Sequence, residues 1–446
     1  MRLLTWIVLA FTGVVLAAPN LAAAEPRTVC FDLTFREGRD SAGTNTPTSS
    51  ETGNLRGRHP SNTATPAVGH LFELYDKDNI GNDEYIGRYI KTTDGRGCAT
   101  FEWEESSFYL GEANPDVYVK YINEVRKTSL QGDKVRAVDN DYDPYPDISW
   151  RDGTPTNSNA FVAVNCPVDT QCDIVPVGVA LEITTGISSS LAQRVNALDT
   201  AQRALEVFGS VLDGAGVIEM RFPCTDEMGC GGHASSPSQD EIRVTGTTGA
   251  MNGRSVAHEL GHVVHKQQFG QDTFSFDKSL NGPNHNRFDT EYESSATVEG
   301  WADFVAAASW WDDDNSGSEP MVAGEAVEEA EAHLNHSCLA NRGIGFQVTK
   351  GFWDLADSNN ESAVFPANSL YPDSFNTTPA HLALGWSAFA AGTSNREQDE
   401  VDGGSGDPNG LNLRDYYSNN TGQGGFGAGF EGSLLYHNCT INQDNG

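Results

Sequence analysis

From Gly69 to Trp103 apolar and polar residues alternate with the period of two that a half-buried strand requires. The runs are Leu71-Phe72-Glu73-Leu74-Tyr75, Tyr85-Ile86-Gly87-Arg88-Tyr89-Ile90 and Ala99-Thr100-Phe101-Glu102-Trp103, with Asp94-Gly95 and Gly97 supplying turns. Val117-Tyr118-Val119-Lys120-Tyr121 continues the pattern. It predicts an all-β sandwich over residues 25–150, with residues 41–66, rich in Ser, Thr, Asn, Gly and Pro, as a loop.

The period then changes. Asp139 to Pro155, with five aspartates and three prolines, reads as an acidic linker, and Ala160 to Asn165 and Ile174 to Leu181 as strands. Leu191, Val195, Leu198, Ala201, Leu205, Phe208 and Leu212 recur at helical spacing. Ile218 to Phe222 and Glu241 to Val244 are predicted strands, and the apolar run Trp301 to Trp311 a helix. The fold class is therefore α+β: an all-β domain, then a mixed domain over residues 151–446. Such a sandwich has its own core, so a chain starting near Asn157 is expected to fold without it.

The N-terminus changes the compartment. Arg2, the apolar stretch Leu3 to Leu16 and Ala22-Ala23-Ala24 read as a signal peptide over residues 1–24, so the chain is expected to be secreted. All eight cysteines, Cys30, Cys98, Cys166, Cys172, Cys224, Cys230, Cys338 and Cys439, fall beyond it. An even count in an exported protein favours disulfides. Proximity pairs Cys166 with Cys172 and Cys224 with Cys230, leaving Cys30 with Cys98 and Cys338 with Cys439. The net charge of −34 argues against nucleic acid or an anionic membrane as partner. A soluble monomer is expected.

The chemistry is concentrated in His258-Glu259-Leu260-Gly261-His262. Histidines four apart on a helix project from one face, so both imidazoles reach one ion. The flanking Glu259 can take a proton from a water activated at that ion. Catalytic Zn²⁺ keeps three protein ligands and an open position, and this motif provides two ligands and the base. Gly261 costs helix propensity and reads as room for close packing. His265 lies on nearly the same face, either supporting a ligand or at the cleft edge.

A third ligand must come from elsewhere. A metzincin needs glycine at 265 and histidine at 268, but the chain has His265 and Gln268. Among the glutamates from 291 to 331, only Glu299 has an aspartate four residues later, Asp303. On a helix both carboxylates share a face, so one can bind zinc while the other accepts a ligating histidine's ring N–H.

His258-Glu259-Leu260-Gly261-His262 followed by Glu299-Gly300-Trp301-Ala302-Asp303-Phe304 resembles the gluzincin metallopeptidases, the thermolysin-like zincins. Phe352-Trp353-Asp354-Leu355 is similar to a helix segment of the secreted fungalysins. The resemblance implies a zincin-type catalytic domain over residues 151–446, with His258, His262 and Glu299 as zinc ligands. It further implies Glu259 as base and Asp303 as partner of a ligating histidine. Where the thermolysin-type segment carries asparagine and serine, this chain has Val298 and Ala302. Leu74-Tyr75-Asp76-Lys77-Asp78 with Thr93-Asp94-Gly95 resembles the transthyretin-like extracellular domains.

The expected activity is thus a secreted zinc metalloendopeptidase acting on protein or peptide substrates. Its rival is an adhesion or carbohydrate-binding protein on an inactive zincin frame. An oxyanion donor is expected from Tyr292, His285, His381 or His437. Asp312, Asp314 and Ser316, before Gly317, begin like a Ca²⁺ loop, but Ala323 stands where an EF-hand needs glutamate. Asp76, Asp78 and Asp83 form a weaker Ca²⁺ candidate. No recognisable propeptide separates the signal from the predicted sandwich.

Overall fold

The strands on either side of residue 150 belong to one sheet. The computed structural model describes residues 25–30, 32–35, 64–66, 69–76, 84–90, 98–103, 117–127, 134–139, 141, 143–144, 148–149 and 181–183. It further describes residues 190–209, 211, 216–224, 234–235, 240–245, 253–269, 293–311, 321–322, 325–326, 345–356, 378–380, 382–384 and 416. The first half contains β1 (Glu25–Cys30), β2 (Asp32–Phe35), β3 (Ala64–Pro66), β4 (His70–Asp76), β5 (Glu84–Ile90), β6 (Cys98–Trp103), β7 (Val117–Arg126), β8 (Lys134–Val138), β9 (Ile148–Ser149) and β10 (Leu181–Ile183). Then come α1 (Ser190–Phe208), β11 (Val217–Cys224), β12 (Ala234–Ser235), β13 (Glu241–Thr245), α2 (Gly253–Phe269) and α3 (Glu293–Trp310). The last are β14 (Met321–Val322), β15 (Glu325–Ala326) and α4 (Gly345–Ala356).

The main sheet runs β12-β13-β11-β8-β7-β4-β5, with β9 also on β7. β8, β11 and β13 are mutually parallel, while β7, β5 and the edge strand β12 run antiparallel to their neighbours. The division expected at residue 150 therefore does not separate two sheets: Lys134 to Val138 pairs in register with Val217 to Arg221. The reason lies in burial. His70, Leu71, Phe72, Glu73 and Leu74 are consecutive and all buried, so β4 is covered on both faces, unlike the outer strand of a freestanding sandwich. Two smaller groups, β1-β6 and β10-β2-β3, lie off this sheet, and the second again joins strands from both sides of residue 150.

The helix α1 packs on β7 and β8 and, on its other side, touches α2 and α3. Being covered from both directions, it buries Ala197, Leu198, Ala201, Leu205 and Phe208 together with Asp199, Gln202 and Arg203. Buried charges require partners. Asp199 lies 3.4 Å from His70 Nε2 on β4 and 3.5 Å from Arg203 Nε. The other ring nitrogen of His70 meets the Tyr121 hydroxyl at 3.1 Å. The Arg203 guanidinium lies 4.1 Å from the centre of the Trp310 ring on α3. Arg194 donates to Asn123 at 2.8 Å. These contacts tie β4 and β7 to the helices behind the sheet. Among the described residues no helix is long and apolar enough to cross a membrane.

Candidate metal centre

The motif helix α2 forms as its pattern requires. Val256, Ala257, Leu260, Val263 and Val264 are buried, and the helix lies against β12 and β13 on one side and α3 on another. His258 and His262 share a face one turn apart, their ring centroids 4.8 Å apart and their planes perpendicular. Across from them α3 presents Glu299. Its two oxygens lie 3.2 Å from His258 Nε2 and 3.7 Å from His262 Nε2. One donor atom from each of the three residues falls within 4.8 Å of the others.

Asp303, one helical turn beyond Glu299, is 1% exposed and places a carboxylate oxygen 2.8 Å from His258 Nδ1. His258 donates from Nδ1 to that carboxylate, and Nε2 on the opposite side of the ring faces Glu299. Two carboxylates flanking one imidazole call for positive charge between them, on the ring as a second N–H or on an ion held at Nε2. The electrostatics show the same demand. Burial opposes charge on His258, but Asp303 and Glu299 together outweigh it and push the imidazole up to about 10.

The donor set fits zinc. Two imidazole nitrogens and a carboxylate are the ligand types of a catalytic Zn²⁺ site. The two Glu299 oxygens lie 3.2 and 3.7 Å from the two imidazole nitrogens, so the carboxylate spans the gap between both histidines. Glu259 sits on α2 beside His258 and is 8% exposed. His265 is buried, not at a cleft edge; burial first, then His262 and Lys266, hold its pKa well below the ordinary histidine value. It is a neutral ring behind the site.

Two glycines set the spacing of the helices. A methyl group on Gly261 would stand 2.7 Å from Ala302 Cα, so α2 and α3 approach this closely only without a side chain there. On the other face of α3, a methyl group on Gly300 would stand 2.5 Å from both the Gly345 carbonyl oxygen and Val348 Cβ of α4. The Trp301 indole N–H donates to the Gly261 carbonyl at 3.1 Å, and the Thr349 hydroxyl contacts the Gly300 carbonyl at 3.0 Å. The sequence signals the closeness at Gly261, but neither hydrogen bond. A threonine in an amphipathic helix carries no mark of the carbonyl it meets 49 residues away.

Several expected residues lie outside the described ones: Tyr292, His285, His381 and His437, the candidate calcium ligands Asp312, Asp314 and Ser316, and Asp78 and Asp83. So do the segment 1–24 and all cysteine side chains, although the β1–β6 register sets the backbone of Cys30 opposite that of Cys98.

No protein-family model and no curated protein matches this chain. Among solved structures, a 9R-lipoxygenase from Cyanothece PCC8801 is similar at 12% identity and a TM-score of 0.16. The match covers 42% of this chain and 24% of the lipoxygenase, and a likeness at that level carries no argument about either fold or activity.

Proposed function

We propose that the chain is a secreted zinc metalloendopeptidase of the gluzincin type, with His258, His262 and Glu299 as ligands and Glu259 as general base. The observation that carries this reading is the convergence of both Nε2 atoms on the Glu299 carboxylate while Asp303 holds the far side of His258. A Zn²⁺ held by these three residues would polarise the scissile carbonyl and acidify the attacking water.

The protein's own groups do the rest. Glu259 takes a proton from the water as its oxygen bonds to the carbonyl carbon. It then gives that proton to the amide nitrogen as the C–N bond breaks, and the water's second proton passes from the new carboxyl group to the amine, leaving a carboxylate and an ammonium group. Asp303 keeps the His258 tautomer fixed throughout. The edge strand β12 lies beside α2, and among the described residues nothing pairs with its outer side. An extended peptide laid along it would gain main-chain hydrogen bonds next to the metal.

Glu259→Gln is the test. The variant should keep the wild type's zinc content while its hydrolysis of an unfolded protein falls by at least about 10²-fold. Equal digestion by zinc-loaded wild type and variant would overturn the assignment. So would a wild type whose cleavage survives complete chelation.

A further inference from the structure

A glutamate ligand sits at the end of a flexible stem, so its placement depends on where the helix beneath it is held. A binding constellation tolerates displacements of only about 0.5 Å, whereas a helix slipping by a single residue moves about 1.5 Å along its axis. α3 carries Glu299 between two other helices and touches both. On each side a buried hydrogen bond ends next to the ligand set. The Trp301 N–H, two residues past Glu299, reaches the carbonyl of Gly261, the residue just before His262. The Thr349 hydroxyl of α4 reaches the carbonyl of Gly300, the residue just after Glu299, and shares its single proton with the Gly345 carbonyl at 3.1 Å.

We propose that Trp301 and Thr349 are positioning residues for Glu299, fixing the register of α3 against α2 on one side and α4 on the other. The inference rests on the zinc-site reading above. Packing alone does not call for these groups. The Trp301 ring packs against Phe208, Phe304 and Phe352, apolar contacts that a phenylalanine would keep in part. What tryptophan adds is a directed N–H. Thr349 is fully buried, and a valine would match its shape; what threonine adds is the hydroxyl. The acceptor carbonyls belong to helices, so these bonds add lateral ties to the axial ladder instead of replacing its rungs. The start of α4 also abuts the ligand directly, since a methyl group on Gly345 would stand 3.5 Å from Glu299 Cβ.

The test uses the full chain in four forms: wild type, Trp301→Phe, Thr349→Val and Thr349→Ser. Zn²⁺ affinity is measured by competition with a chromophoric chelator, and ligand geometry from the visible absorption of the Co²⁺-loaded protein. Thermal melts of the metal-free forms report folding. Trp301→Phe and Thr349→Val should each weaken Zn²⁺ binding by about tenfold or more and alter the Co²⁺ bands, while Thr349→Ser stays within about threefold of wild type. Folded Trp301→Phe and Thr349→Val with wild-type affinity and an unchanged Co²⁺ spectrum would overturn the proposal. It also fails if Thr349→Ser loses as much as Thr349→Val. If Thr349→Val does not fold, Trp301→Phe and Thr349→Ser decide by the same criteria. A wild type that takes up no Zn²⁺ sinks the zinc-site reading itself; a wild type that binds, with variants that match it, sinks only the positioning role.

Discussion

His258 is held between two carboxylates whose surroundings differ. Asp303 is 1% exposed and meets the ring's rear nitrogen, whereas the Glu299 side chain is 20% exposed and faces both histidines. On the zinc-site reading proposed above, that asymmetry assigns Asp303 to orienting His258 and Glu299 to the ligand set. Glu299→Ala should lose most bound zinc at micromolar metal, measured by atomic absorption after gel filtration, while Glu293→Ala keeps it. Asp303→Ala should be milder, at about 10–100-fold in affinity. Full occupancy in Glu299→Ala would remove Glu299 from the ligand set. At this scale the grouping of His258, His262, Glu299 and Asp303 was readable because residues four apart share a helix face: four residues from His258 to His262, four from Glu299 to Asp303. Which of the two carboxylates faces both histidines was not readable from spacing, since both share a helix face. The burial of His265 was equally hidden, because it depends on what packs over α2.

Between elements, contact distance becomes the deciding quantity. Gly261 lets α2 meet the backbone of α3, and the atom in the way of a larger residue is Ala302 Cα, which cannot rotate aside. Gly261→Ala gains roughly 1 kcal/mol in helix propensity but forces the two ligand-bearing helices apart, an overpacking cost of about 1–3 kcal/mol. The metal-free variant should therefore match or fall below wild type in urea denaturation, and its zinc affinity should drop as the histidines retreat from Glu299. A variant that is both more stable and equally tight in zinc would show that the helices have room to spare. Helix α1 was legible from its 3.6-residue period, α2 from its paired histidines in an apolar segment, α3 from the apolar run after Glu299, and β4, β5, β11 and β13 from alternation. The five-residue β8 was not. Lys134-Val135-Arg136-Ala137-Val138 alternates only briefly, and nothing local announces that its partner is β11.

That pairing reshapes expectations for the whole chain. Strands β4, β5, β7 and β8 supply much of the sheet on which α1 rests, and His70 and Tyr121 contribute to the polar cluster around Asp199. A chain begun near Asn157 loses all of them. In contrast to the sequence expectation, it should be recovered as aggregate or as a molten species without zinc, by size-exclusion chromatography and near-UV dichroism. A monomeric, zinc-binding fragment would restore the separable domain. Asp199→Ala probes the same junction from within: it removes the buried carboxylate between His70 and Arg203 and should cost about 3–5 kcal/mol in urea unfolding. The pairing of β8 with β11 across residue 150 was illegible because alternation reports which face of a strand is buried, and not which other strand lies beside it.

The parallel register of β8 on β11 also dictates an order of assembly. Lys134 faces Val217, so the sheet cannot close until the α1 segment between them has been made and folded back. The helix with both histidines is synthesised after that, and Glu299 later still. A chain emerging from a ribosome or a translocation channel thus carries its ligands dispersed until nearly three hundred residues have been delivered. On the peptidase reading proposed above, chain order itself is a safety catch: the synthesising cell's own contents meet the polypeptide before its site can assemble.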